Sequence, residues 1–109
     1  MPAMQSADDP ILKRFRAALD EMYGARIERV VLFGSRARGD AREDSDYDVA
    51  VFLKDLVDRS PELNRLADLS TDFLDETGEF IHAMPYRAGS YNDERMPLMH
   101  EIRTDGIDL

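Results

Sequence analysis

The stretch Leu32–Leu53, LFGSRARGDAREDSDYDVAVFL, decides how the rest of the chain is read. Two apolar runs are separated here by Gly34-Ser35, two arginines and the alternation Asp46-Tyr47-Asp48. A plain link between two strands needs only a couple of turn-forming residues, so this polar interval has a further job. In a strand, residues i and i+2 point to one face about 6–7 Å apart, which aims Asp46 and Asp48 one way and Tyr47 the other. Like charges on one face repel, and paired hard oxygen donors suit Mg²⁺ better than a softer metal. The bland alternative is a solvent-facing edge, but Val49–Leu53 is too apolar for a strand lying free in water.

Gly34-Ser35 closes the preceding apolar run. A glycine lets a ligand approach the backbone, and a serine hydroxyl with the free N–H groups of a short helix, Ser35 to about Arg38, forms a phosphate cradle. The alternative is a helix cap supplied by the Ser35 hydroxyl and nothing more. Gly34 to Gly39 has the glycine spacing of a P-loop, but Asp40-Ala41 stand where that motif needs Lys and Ser or Thr, so it is not one. Arg36 and Arg38 have two open roles: neutralising phosphate, or pairing with Asp40, Glu43 and Asp44 to hold the fold.

Outward from this stretch, Asp8-Asp9-Pro10 signals a helix start, and Ile11, Leu12, Phe15, Leu19 and Met22 follow helical spacing up to Gly24. Ile27–Phe33 reads as a buried strand and Ala41–Ser45 as a polar turn, with Asp46–Leu53 as the second strand. Ser60-Pro61-Glu62 opens a helix whose apolar face runs from Leu63 to Leu74 and stops at Gly78. Glu79–Tyr86 is a third strand, ended by Pro85. A turn near Ser90–Arg95 precedes a last helix from Pro97 to Gly106. The order predicts a small α/β fold, a mixed β-sheet with packed helices, in a single domain over residues 1–109.

Composition sets outer bounds. The 109 residues contain no cysteine and only His82 and His100, which argues against disulfides, thiolate metal sites and a conventional zinc site. The formal charge of −9 disfavours direct nucleic-acid binding and favours a basic protein partner, or a divalent metal with a nucleotide. No apolar run reaches the roughly 20 residues needed to span a bilayer, and no secretory leader is evident, so the expectation is a cytoplasmic protein without membrane contact.

Gly34-Ser35-x-Ala37-Arg38-Gly39, followed by Asp44-Ser45-Asp46-x-Asp48, resembles the signature of the nucleotidyltransferase superfamily that shares its fold with DNA polymerase beta. The small size, the Pro85-Tyr86 segment and the ending PLMHEIRTDGIDL are similar to its minimal nucleotidyltransferase branch, the antitoxins of HEPN ribonuclease toxins. The resemblance implies an enzyme that uses ATP and Mg²⁺ to place AMP on a hydroxyl, a toxin tyrosine in this branch, within a hetero-oligomer. It assigns Asp46 and Asp48 to the metals, and Gly34 and Ser35, with Arg36 and Arg38 as further candidates, to the phosphates.

One departure stands out. Most active members carry a third carboxylate on a later strand, and EFIHAMPY, Glu79–Tyr86, contains no aspartate. His82 or Glu79 are the substitutes available; a histidine can act as a base near neutral pH, or be a plain sheet residue. The competing expectation is therefore a binding module with a vestigial site that silences a basic toxin by occlusion. A free-standing transferase acting on a small molecule or RNA end is disfavoured, because no second domain is present to hold such a substrate.

Overall fold

The computed structural model describes residues 9–42 and 45–109; the expectations for Asp8, Glu43 and Asp44 fall outside them. Helix α1, Pro10–Tyr23, starts where Asp9 Oδ1 accepts the Ile11 N–H at 2.8 Å. The carboxylate satisfies one of the N–H groups that a helix start leaves without a partner. Strand β1, Ile27–Phe33, leads into the four-residue helix α2, Ser35–Arg38, and strand β2, Tyr47–Leu53. Helix α3, Arg59–Thr77, is capped by Asp58 and begins just ahead of the predicted Ser60-Pro61 start. Strand β3, Ile81–Arg87, helix α4, Pro97–Asp105, and the two-residue strand β4, Ile107–Asp108, complete the order.

The sheet runs β3-β2-β1-β4. β1 pairs antiparallel with β2 and β4, while β2 and β3 are parallel, so the sheet is mixed as the sequence predicts. β4 is not predicted; it arises where Ile107 and Asp108 meet Leu32 and Val31 across the edge of β1. The third strand also starts two residues later than expected and continues past Pro85 to Arg87.

Alternation along β2 decides which residues face which layer. Tyr47, Val49, Val51 and Leu53 join Leu12, Phe15 and Leu19 of α1 and Leu66 and Phe73 of α3 in the larger core. Phe15 and Phe73 meet edge to face, 5.2 Å between ring centres, which locks the two helices to each other. Ala50 and Phe52 point to the opposite side, where they pack with Val31 and with Met99 and Ile102 of α4. Covered on both faces, β2 is the central element that carries Asp48 and is entered from Asp46. Each fully buried Val, Leu or Phe in it stabilises the fold by roughly 1.5–3 kcal/mol.

Candidate active site

The chain breaks sharply at the end of β1. Gly34 adopts φ +75° and ψ −158°, a region essentially reserved for glycine, and redirects the backbone into α2. It, and not Ser35, takes the N-cap position of α2, and among the described residues no side chain caps that helix. The cap predicted for the Ser35 hydroxyl is thus replaced by a backbone feature of its neighbour.

The register places Phe33 opposite Asp48, which brings the Gly34 bend against the Asp48 carboxylate. A Cβ at position 34 would lie 2.5 Å from Asp48 Oδ2. Only a residue without a side chain leaves this carboxylate room, so the glycine and the acid define one site between adjacent strands. Asp46, exposed and just ahead of β2, lies close enough for its charge to act on Asp48.

Parallel pairing sets His82 directly beside Asp48, with Nδ1 3.6 Å from Oδ1. That spacing is a close contact, longer than a well-formed hydrogen bond. Burial pushes the Asp48 carboxyl above the ordinary carboxylate value; His82 opposes the shift, and the charges of Asp46 and Glu101 add to it. A half-buried acid whose charge is disfavoured among other acids gains from a cation at the same place.

Arg36 is committed to the bend. Its Nε and Nη2 donate to the Ser45 carbonyl at 3.0 and 2.6 Å, its Nη2 lies 3.4 Å from Glu79 Oε2, and its guanidinium sits 4.3 Å over the Tyr47 ring. Tyr47 donates from its hydroxyl to Asp9 Oδ2 at 2.7 Å, and burial with that bond pushes its pKa up to about 12. These contacts fix Ser45 and Tyr47, the residues on either side of Asp46. Glu79 lies ahead of β3 and turns toward Arg36. Arg38 reaches Asp40 at 3.3 Å, Asp105 at 3.7 Å and Glu101 at 3.9 Å, tying α2 to α4.

The structure therefore brings Gly34, Asp48 and His82 together, with Asp46 beside them, and places Arg36, Arg38 and Glu79 in pairs that hold the surrounding elements. Glu101 is the contributor that sequence reasoning did not single out. Its approach depends on how α4 packs on the sheet, and the only local signal is a carboxylate beside the apolar pair Met99 and Ile102. Tyr86 and Tyr91 both pack on Phe52, 5.6 and 5.7 Å between ring centres.

The carboxylate oxygens of Asp46 and Asp48 are hard donors and fit a hard divalent cation. Among the described residues no group of three His, Cys, Asp or Glu is arranged to hold a metal by itself. A cation here would take the rest of its ligands from the nucleotide and water, as Mg²⁺ commonly does.

Comparison with known proteins identifies the family and the fold. The nucleotidyltransferase domain family matches residues 12–93, and the chain belongs to that family. A Methanocaldococcus jannaschii protein provisionally named a protein adenylyltransferase is 35% identical over 77 residues, 71% of each chain. The fold is shared with a provisionally named nucleotidyltransferase of Sulfolobus solfataricus, at 19% identity and TM-score 0.59, over 90% of this chain and 75% of that one. A toxin–antitoxin structure with AMP-PNP aligns at 18% identity and TM-score 0.61, over 91% of this chain and 71% of that one. Nucleotidyltransferase membership and the mixed α/β fold thus agree with the sequence reading.

Proposed function

We propose that this chain is an antitoxin that transfers AMP from ATP to a hydroxyl of a toxin, a tyrosine of a HEPN ribonuclease, and so neutralises it in the cytoplasm. The observation that carries the reading is the close fit of Gly34 against Asp48, which joins the glycine bend at the start of α2 to a half-buried acid. A relative named for protein adenylylation and a toxin–antitoxin neighbour with a nucleotide analogue support it.

In this reading Asp46 and Asp48 hold Mg²⁺, and Gly34 and Ser35 hold the β and γ phosphates. Bound magnesium would neutralise phosphate charge and steady the departing pyrophosphate. Arg36 keeps Asp46 in place through Ser45 and Tyr47, and Arg38 screens the phosphates from the acids of α4. His82 stands where the third carboxylate is missing and takes the proton of the attacking hydroxyl. The hydroxyl oxygen bonds to the α-phosphorus, the bond from that phosphorus to the bridging oxygen breaks, and pyrophosphate leaves.

A second reading, silencing of a basic toxin by occlusion alone, is favoured by the absence of a carboxylate along Ile81–Arg87. Incubation with ATP, Mg²⁺ and the partner toxin, followed by intact-mass measurement of the toxin, separates the two. Mass gains in whole AMP units, lost in the Asp46→Asn, Asp48→Asn double variant, are expected. A toxin that is bound and inactive but unmodified would favour occlusion instead.

A further inference from the structure

The two oxygens of the Asp48 carboxylate face different neighbours. Oδ2 lies on the side of the Gly34 bend, where a Cβ would meet it at 2.5 Å. Oδ1 lies 3.6 Å from Nδ1 of His82, the residue paired with Asp48 across β2 and β3. We infer that Oδ1 and Nδ1 form a second cation site, for Zn²⁺ or a similar borderline divalent metal, and that filling this site shuts off the proposed transfer. The metal site is independent of that reaction; its effect on turnover rests on the reaction and on His82 as the base.

Three features carry it. The first is spacing. At 3.6 Å the two atoms are too far apart for a well-formed hydrogen bond. Two ligands about 2.1 Å from one ion stand about 3.4 Å apart in a tetrahedral site and about 3.0 Å apart in an octahedral one. The observed separation is within about 0.2 Å of the tetrahedral value and about 0.6 Å beyond the octahedral one. Zn²⁺ takes the first geometry readily, whereas Mg²⁺ demands the second.

The second is donor chemistry. A neutral imidazole nitrogen suits Zn²⁺ and its transition-metal neighbours, while Mg²⁺ favours oxygen. Mg²⁺ therefore stays with carboxylate and phosphate oxygens, and the mixed nitrogen and oxygen pair selects against it. A carboxylate at position 82 would give an all-oxygen site without this preference. Metal on Nδ1 also uses the one lone pair that a neutral imidazole offers, so the ring can no longer accept the proton of the acceptor hydroxyl.

The third is access and order. The side chains of Asp48 and His82 are 35% and 56% exposed, so an ion can enter and complete its shell with water. Phe80 lies nearly parallel to the imidazole, 19° between planes and 6.4 Å between ring centres, which restricts the turning of the ring. The charges of Asp46 and Glu101 act on the same carboxylate and favour a further cation beside it. With two protein ligands this is an open site of modest affinity, unlike the closed four-ligand zinc site against which the composition argues.

The test titrates Co²⁺, a visible probe for Zn²⁺, into the wild type, His82→Ala, Asp48→Asn and His100→Ala without nucleotide. One Co²⁺ per chain with the strong visible absorption of a tetrahedral ion is expected, displaced by Zn²⁺ but not by about a hundredfold excess of Mg²⁺. His82→Ala and Asp48→Asn should each weaken binding roughly tenfold or more, and His100→Ala should leave it within a few-fold. Absorption that is absent, octahedral in character or unchanged in His82→Ala would overturn the inference. Calorimetry of AMP-PNP with Mg²⁺, in the presence and absence of one equivalent of Zn²⁺, is paired with intact-mass measurement of the toxin. Nucleotide affinity within a few-fold and toxin modification lost on adding Zn²⁺ supports the inference; expulsion of the nucleotide, or modification that continues unchanged, would overturn it. A tetrahedral Co²⁺ signal that depends on His82, in a protein that binds no nucleotide with Mg²⁺, would leave the metal site standing and remove the transfer reaction.

Discussion

Replacing Gly34 by alanine perturbs the site where its two halves touch. The new methyl group would face Asp48 Oδ2 at 2.5 Å, with Cγ at 3.4 Å and Cβ at 3.5 Å. Holding a non-glycine residue at φ +75° and ψ −158° costs about 1–3 kcal/mol. Moving the half-buried carboxylate aside, against the neighbouring His82 and Asp46, adds roughly 1–3 kcal/mol of overpacking. The total of roughly 2–5 kcal/mol corresponds to a fall in Tm of about 10–20 °C for a domain of this size. Only the second part depends on Asp48. In an Asp48→Ala background the nearest atom is the Cβ at 3.5 Å, an ordinary contact, so alanine at position 34 should then cost only the backbone part. Urea unfolding of the wild type, both single variants and the double variant yields the coupling directly, and about 1–3 kcal/mol is expected. Coupling below about 0.5 kcal/mol would refute the reasoning, because distant, independent positions behave that way.

The pH dependence of Asp48 follows from its raised pKa, caused first by burial. The stability linked to its neutral form is fully present below the unfolded-state value and is lost as pH rises through the folded one. Asp48→Asn should therefore be more thermostable than wild type at neutral pH without metal, with the advantage fading as pH falls below the ordinary carboxylate range; a Tm difference that does not vary with pH would contradict this. Arg36→Ala removes both bonds to the Ser45 carbonyl and the stack on Tyr47, and should cost about 1–3 kcal/mol in thermal or urea unfolding. His82→Ala should slow toxin modification by about 10²–10⁴ while leaving nucleotide affinity within a few-fold, and His82→Asp should recover part of the rate. Equal rates in all three proteins would remove His82 from the proton transfer.

Much of this site is legible in the sequence because its geometry is local. The period of two in a strand puts Tyr47 in the core and leaves Asp48 on the opposite face without any knowledge of partners. The break at Gly34 is readable for the same reason, as a glycine between an apolar run and a polar turn. What the sequence conceals depends on distant pairing. Ile107–Asp108 is too short to show any periodicity and becomes a strand only because β1 offers it an edge. Glu79 is a fair candidate for the third carboxylate while the strand is taken to begin there; with the ladder starting at Ile81, it falls outside and meets Arg36. The pairing of Asp48 with His82 and the approach of Glu101 are set by strand order and by the packing of α4, neither of which is written in any single segment.

Binding of AMP-PNP measured by calorimetry, with and without Mg²⁺, on the wild type and on the Asp46→Asn, Asp48→Asn double variant tests the central claim most directly. One Mg²⁺-dependent site per chain is expected in the wild type, and its loss or weakening by at least about 100-fold in the double variant. Nucleotide binding that persists in the double variant, or that is indifferent to Mg²⁺, would contradict a site built on these two acids and the Gly34 bend.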